Sequence, residues 1–326
     1  MFCTAEMITS MSPLSNSSGP IFLLRGFPGL ETYHRWLSIP FCSIYLIALL
    51  GNSTILFVIK TNRSLHEPMY AFLSMLAITD LGLSLSTLPT VLGLFWFNIR
   101  EIGFNACAVQ LFFIHTFSFM ESSVLLAMAF DRYVAICSPL KYTSILTNSV
   151  LVKIGLAIAA RSSAIVFPTP WLLRRYRYCK SKELSHSFCL HQDVLKLSCS
   201  DSRVNSIYGL CVVLSTLVID SLLILLSYMK IIRAVTAIAS KEERFKAFNT
   251  CVSHICVVLI FFIPVIGVSM LHRFARHSSS IVHILMADVY LLIPPVLNPI
   301  VYSVKTQPIR KGILWAFGRR RTTHFQ

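Results

Sequence analysis

Five ionisable side chains stand inside long apolar runs of the sequence: Asp80, Glu121, Arg161, Asp220 and Asp288. Charge is costly in hydrocarbon, so such residues mark ion or substrate paths, proton relays or paired contacts between helices. A helix-to-helix polar contact is the expectation for Arg161, Asp220 and Asp288. His115, Ser118, Phe119 and Ser122 follow i, i+3, i+4, i+7 spacing and therefore share one helix face. Ser269 and Arg273, four apart, share another, and the planar fork of an arginine suits a carboxylate. Asp131-Arg132-Tyr133 closes an apolar run with opposite charges side by side, so the arginine can be held by its neighbour or released. Asn298-Pro299 with Tyr302 loosens one helical turn, because proline removes a backbone hydrogen bond, and a loosened turn can serve as a bistable element. Catalytic signatures are missing. His66-Glu67-Pro68-Met69-Tyr70 lacks the second histidine of a zinc helix, and no Gly-x-Ser-x-Gly, phosphate loop or Cys-x-x-Cys occurs. The chemistry on offer is recognition and switching, not turnover.

The elements that must position these groups follow from composition. Hydrophobic residues make up 55% of the 326 and charged residues 13%, against about 25% in an ordinary soluble domain. With a mean hydropathy of +0.68, the chain needs lipid as its solvent. Hydrocarbon about 30 Å thick needs about 20 apolar residues in a helix. Such runs recur seven times, near 37–59, 69–92, 107–131, 150–172, 204–229, 247–270 and 281–303. Barrel strands would be shorter and alternating. The expectation is an all-α membrane protein, a seven-helix bundle over 37–303, with a tail at 1–36 and another at 304–326. Prolines inside the runs, such as Pro264 and Pro294-Pro295, are tolerated because neighbouring helices re-satisfy the backbone. The net charge of +15 lies mainly between the runs, with no nucleic-acid-reading motif, so nucleic acid is not an expected partner.

Orientation rests on basic residues. With the C-terminus cytosolic, sixteen Lys and Arg face inward against five outward once the long 173–203 loop is set aside. Long loops obey the positive-inside rule poorly. Asn16-Ser17-Ser18 is a glycosylation sequon in the first tail, meaningful only on the outer side. Cys107, Cys179, Cys189 and Cys199 fall on that same side, where oxidation is permitted, and four cysteines allow three pairings. No basic segment with a short apolar core opens the chain, so the first span is expected to be its own insertion signal.

Five separated motifs carry a resemblance. They are Leu65-His-Glu-Pro-Met-Tyr70, Met128-Ala-Phe-Asp-Arg-Tyr-Val-Ala-Ile-Cys137 with Ser138-Pro-Leu-Lys-Tyr142, Lys246-Ala-Phe-Asn-Thr-Cys-Val-Ser-His254, and Pro294-Pro-Val-Leu-Asn-Pro-Ile-Val-Tyr302. In this order they closely resemble the olfactory receptors among rhodopsin-like G-protein-coupled receptors, from about residue 22 to 315. The long loop with Ser185-His-Ser-Phe-Cys-Leu-His-Gln-Asp-Val-Leu-Lys196 is similar to that of the class I, or fish-like, branch.

The resemblance implies a plasma-membrane receptor for a small volatile ligand, acting through a stimulatory, olfactory-type heterotrimeric G protein to raise cyclic AMP. It implies ligand contacts at His115, Gln192, Ser269 and Arg273, with the arginine suited to a carboxylic acid. Asp80 and Glu121 match positions that line a central water-filled cavity and can hold sodium. Two carboxylates converging in low dielectric need a cation, or one stays protonated. Asp131, Arg132, Tyr133, Asn298, Pro299 and Tyr302 take the roles of G-protein coupling and activation. The family pairing of the outer cysteines is Cys107 with Cys189 and Cys179 with Cys199. The tail after Val304, with Arg310, Lys311 and Arg319-Arg320-Arg321, resembles a short amphipathic helix on anionic lipid. One departure stands out: Phe262 occupies a position where relatives often carry tyrosine, which removes a hydroxyl beneath the pocket. A transporter or channel is the competing class, but no inverted repeat or paired broken helices occur.

Overall fold

The computed structural model describes residues 19–179, 182–238, 240–274 and 279–322. Asn16 lies outside the described residues, and so does the side chain of Arg273. Among the described residues, seven helices are long and apolar enough to cross a bilayer. They are α1 (His34–Thr61), α2 (Pro68–Phe97), α3 (Phe104–Cys137), α4 (Asn148–Arg174), α5 (Arg203–Thr236), α6 (Lys241–Phe274) and α7 (Ser280–Lys305). An eighth, α8 (Gln307–Thr322), follows. All seven expected spans are present. Each helix overruns its apolar stretch by a few residues, because backbone hydrogen bonding continues into the interface after hydrophobicity ends.

Helix α3 is the axis of the bundle and packs against α2, α4, α5 and α6. Its core side chains include Leu111, Ile114, Leu125 and Ala129, all essentially inaccessible. The large apolar residues on α4 and α5, Leu156, Leu222 and Leu225 among them, instead face outward, as lipid-exposed walls should.

Prolines within spans leave carbonyls unpaired, and the structure answers one of them directly. Pro299 has no N–H for the carbonyl of Pro295, one helical turn back. Asn52 on α1 donates its Nδ2 to that oxygen at 2.8 Å. Gly51 permits the approach: a Cβ there would stand 3.0 Å from the Pro299 ring. The turn that the sequence marks as loose is therefore held by α1. In α5, residues Leu214–Val218 form a π turn. Such bulges locally re-aim the side chains that follow, and Asp220 next to this one points into the bundle, 1% exposed.

Outside the spans, a small three-stranded sheet closes the disulfide end. Strand β1 (Ile21–Leu24) lies between β2 (Glu101–Gly103), antiparallel, and β3 (Glu183–Leu184), parallel. Phe22 of β1 is fully buried and meets Tyr178 edge-on at 5.3 Å. The segment before α1 thus straps the long loop to the bundle, an element that hydropathy does not reveal. At the opposite end α8 docks on α1 through buried Ile309 and a close approach at Gly312, while Leu314 and Trp315 remain exposed.

Candidate functional site

The long loop between α4 and α5 is fixed over the bundle by covalent and polar ties. Cys107 at the start of α3 is joined to Cys189, and Cys179 to Cys199, the pairing the resemblance implied. Gln110, one turn deeper on α3, accepts from the Cys189 backbone N–H at 2.9 Å, and its amide donates to the Ser86 carbonyl and to Thr90. The loop then forms a six-residue helix, His191–Lys196, with Asp193 in its first turn and Lys196 in its last. That short helix is a lid.

Beneath the lid lies a cavity of about 510 Å³ between α3, α4, α5, α6 and α7. This is within the range of small-molecule sites in proteins. Apolar walls come from Phe119, Val166, Val212, Val213, Leu217 and Val265. His115, Gln192 and Ser269 all line it, so three of the four expected ligand residues meet in one space. The main chain of Arg273 lies one turn beyond Ser269 on α6. His115 Nε2 is buried and has no hydrogen-bond partner. In a cavity wall, such a group is a ready contact for a polar ligand.

The α3 face read from spacing divides by depth. His115, Ser118 and Phe119 reach the cavity. Ser118 accepts a short hydrogen bond from the Tyr290 hydroxyl of α7, which forms part of the floor. Ser122 lies below that floor and donates instead to Asp220 at 2.8 Å. Lys196, His191, His283 and Tyr290 also line the cavity and were not singled out by sequence reasoning. Lys196 had a weak signal, an Asp-x-x-Lys spacing. Tyr290 had none, because its role exists only once α7 meets α3.

Two carboxylate clusters lie deeper. Asp80 on α2, Glu121 on α3 and Asn298 on α7 converge, with Asn298 Nδ2 3.1 and 3.3 Å from the Asp80 oxygens and 3.2 Å from Glu121 Oε1. All three are at most 1% exposed. Asn298 Oδ1 is buried without a hydrogen-bond donor, so this cluster is rich in acceptors and short of positive charge. The second cluster is complete. Arg161 of α4 reaches Asp220 of α5 with two N–H···O contacts of 3.0 and 3.2 Å and donates to Ser123 at 2.7 Å. The helix-to-helix contact expected for Arg161 and Asp220 is a contact with each other. Asp288 sits buried on α7, and its Oδ2 has no hydrogen-bond partner.

At the far end of α3, Arg132 is held by Asp131, which also accepts from the Tyr142 hydroxyl at 2.7 Å. Tyr228 of α5 meets His254 Nδ1 of α6 at 2.7 Å, and the Tyr302 hydroxyl lies 4.0 Å from the Met128 sulfur. The arginine is therefore in its restrained arrangement. Phe262 is buried, and its ring meets that of Phe261 edge-on.

Residues 41–320 match the family model described as olfactory receptor. The chain belongs to the olfactory receptor family. It is similar to human olfactory receptor 51L1, with 67% identity over 307 residues covering 94% of this chain and 98% of that receptor. Human olfactory receptor 51G2 is 61% identical over 311 residues, covering 94% and 99%. These relatives accord with the class I branch. The fold is that of squid rhodopsin, whose crystal structure aligns with a TM-score of 0.71 at 20% identity over 92% of this chain and 89% of that one. This olfactory receptor is therefore a seven-helix G-protein-coupled receptor of the plasma membrane, with a ligand and a G protein as partners, and not an enzyme.

Proposed function

We propose that the receptor detects a small carboxylic acid in the lidded cavity and activates a stimulatory, olfactory-type G protein, raising cyclic AMP. The observation that carries the reading is the meeting of His115, Gln192 and Ser269 around an apolar space beneath the lid. Arg273, one turn above Ser269, is assigned as the carboxylate clamp. The acyl chain packs against Val212, Val213 and Val265. Odorant affinity for one bundle state over the other is what shifts the equilibrium, since equal affinity for both shifts nothing. The shift runs from the cavity floor at Ser118 and Tyr290 through the turn at Pro299 to Tyr302. There it releases Arg132 from Asp131 and Tyr133 moves with it.

The arrangement of the chain follows: N-terminus outside with carbohydrate on Asn16, and C-terminus in the cytosol with α8 on anionic lipid. The acceptor-rich cluster of Asp80, Glu121 and Asn298 fits a sodium ion or a proton, either of which halves the negative charge of two carboxylates held in low dielectric.

A panel of short and medium acids, alcohols and esters scored by cyclic AMP tests the assignment. Acids should dominate the response. Arg273→Ala should abolish acid responses while surface labelling stays intact; an unchanged dose–response curve removes the arginine from the site. An epitope at Gln326 should be reachable only after permeabilisation.

A further inference from the structure

One carboxylate in the lid bridges an imidazole and an ammonium group, one through each oxygen. Asp193 is 3% exposed; its Oδ2 accepts from His186 Nδ1, itself 1% exposed, while its Oδ1 lies 3.2 Å from Lys196 Nζ. Lys196 differs from His186 in being open: its side chain is 56% exposed and lines the cavity. The triad thus has a buried end and a ligand-facing end, joined through one acid.

With His186 neutral, the triad carries no net charge and Asp193 holds Lys196. A proton on His186 gives Asp193 a buried counter-charge and leaves the triad at +1. The surplus is available at the exposed member, Lys196, which faces the space a ligand would occupy. We propose that Lys196 is a second carboxylate anchor of the cavity, held by Asp193 and freed for the ligand when His186 takes up a proton. This rests on the reading of the cavity as the odorant site.

The groups around the triad favour the protonated form. Burial lowers the affinity of His186 for a proton, but the Asp193 hydrogen bond and charge, then the charge of Asp288 from α7 and the His283 backbone carbonyl 3.4 Å from Nε2, outweigh it, and the net displacement is upward. Burial works the other way on Asp193, yet the His186 contact, with Lys196 adding to it, holds this carboxyl well below the usual range. Sharing the cavity lining with Lys196 are the imidazoles of His115 on α3, His191 on the lid helix itself and His283 on α7. The sign is then fixed. The extra charge is present at pH values below the raised His186 midpoint, itself above the ordinary value of about 6.5, and is lost as pH rises through it. A simple carboxylic acid, ionising near about 4.3 like a glutamate side chain, stays anionic throughout.

Cyclic AMP dose–response curves for hexanoic, octanoic and decanoic acids and their methyl esters, taken at pH 6.5, 7.5 and 8.5, test the idea. In the wild type, half-maximal acid concentrations should rise at least threefold from pH 6.5 to 8.5, with ester values flat. Lys196→Gln should raise the acid values tenfold or more at pH 6.5 and remove the slope. Lys196→Arg should keep most of the acid response, and His186→Gln should flatten the slope. An acid-to-ester ratio unchanged by Lys196→Gln, or a slope shared by the esters, overturns the proposal. Val213→Trp, which fills the cavity, separates the two layers. If it silences every ligand while Lys196→Gln is normal, only the anchor fails. If it leaves responses intact, or if all acids are silent, the cavity or carboxylate reading fails and takes the anchor with it.

Discussion

The bundle buries two acidic clusters, and they are built differently. Asp220 has its cation supplied by the chain itself: Arg161 of the neighbouring helix, with Ser122 donating to the carboxylate and Ser123 accepting from the guanidinium. Among the described residues, Asp80 and Glu121 share only the amide of Asn298. A self-neutralised cluster joins helices and stays put. A cluster lacking a cation among its own side chains is open to an ion or proton from outside, and its charge state can report on the state of the bundle. The lesson is that burial of a carboxylate does not itself mark a switch; the origin of its counter-charge does.

Substitutions can break that contrast. The largest effect is expected at Arg161. Arg161→Ala leaves Asp220 buried and uncompensated, costing about 3 kcal/mol, the low end for a broken buried pair because the guanidinium is partly exposed. Surface expression and thermal stability in detergent should both drop. Arg161→Met combined with Asp220→Leu should recover much of the loss, and a double variant as unstable as the single one would show that the pair does more than join helices. At the other cluster the effect belongs to signalling. Asp80→Asn or Glu121→Gln should change the dependence of basal cyclic AMP on sodium or on pH while the receptor still reaches the surface; flat titrations in wild type and variants alike would remove the ion or proton from the account. The smallest effect tests the tie across the loosened turn. Asn52→Ala deletes the hydrogen bond to the Pro295 carbonyl, worth about 0.6 kcal/mol for an interhelical bond in lipid. It should raise basal signalling slightly. A silent, equally stable variant would show that α1 does not restrain the turn.

Much of this receptor is determined by sequence alone. Seven apolar runs fix seven helices, because a backbone in hydrocarbon must pair its own N–H and C=O groups. Spacing puts His115, Ser118 and Phe119 on one face, since helical geometry is local and periodic. Other features needed the tertiary structure. Nothing in the sequence pairs Arg161 with Asp220, 59 residues away, or sends Asn52 to a carbonyl 243 residues on. The strap at Ile21–Leu24 is too short and too ordinary in composition to announce a sheet whose partners lie 80 and 160 residues along the chain. Lys196 is a surface-loop lysine until the disulfide to Cys107 turns its helix over the cavity. Local periodicity reads one helix at a time, whereas a site between helices is set by how their faces pack, and that is decided only when the chain closes.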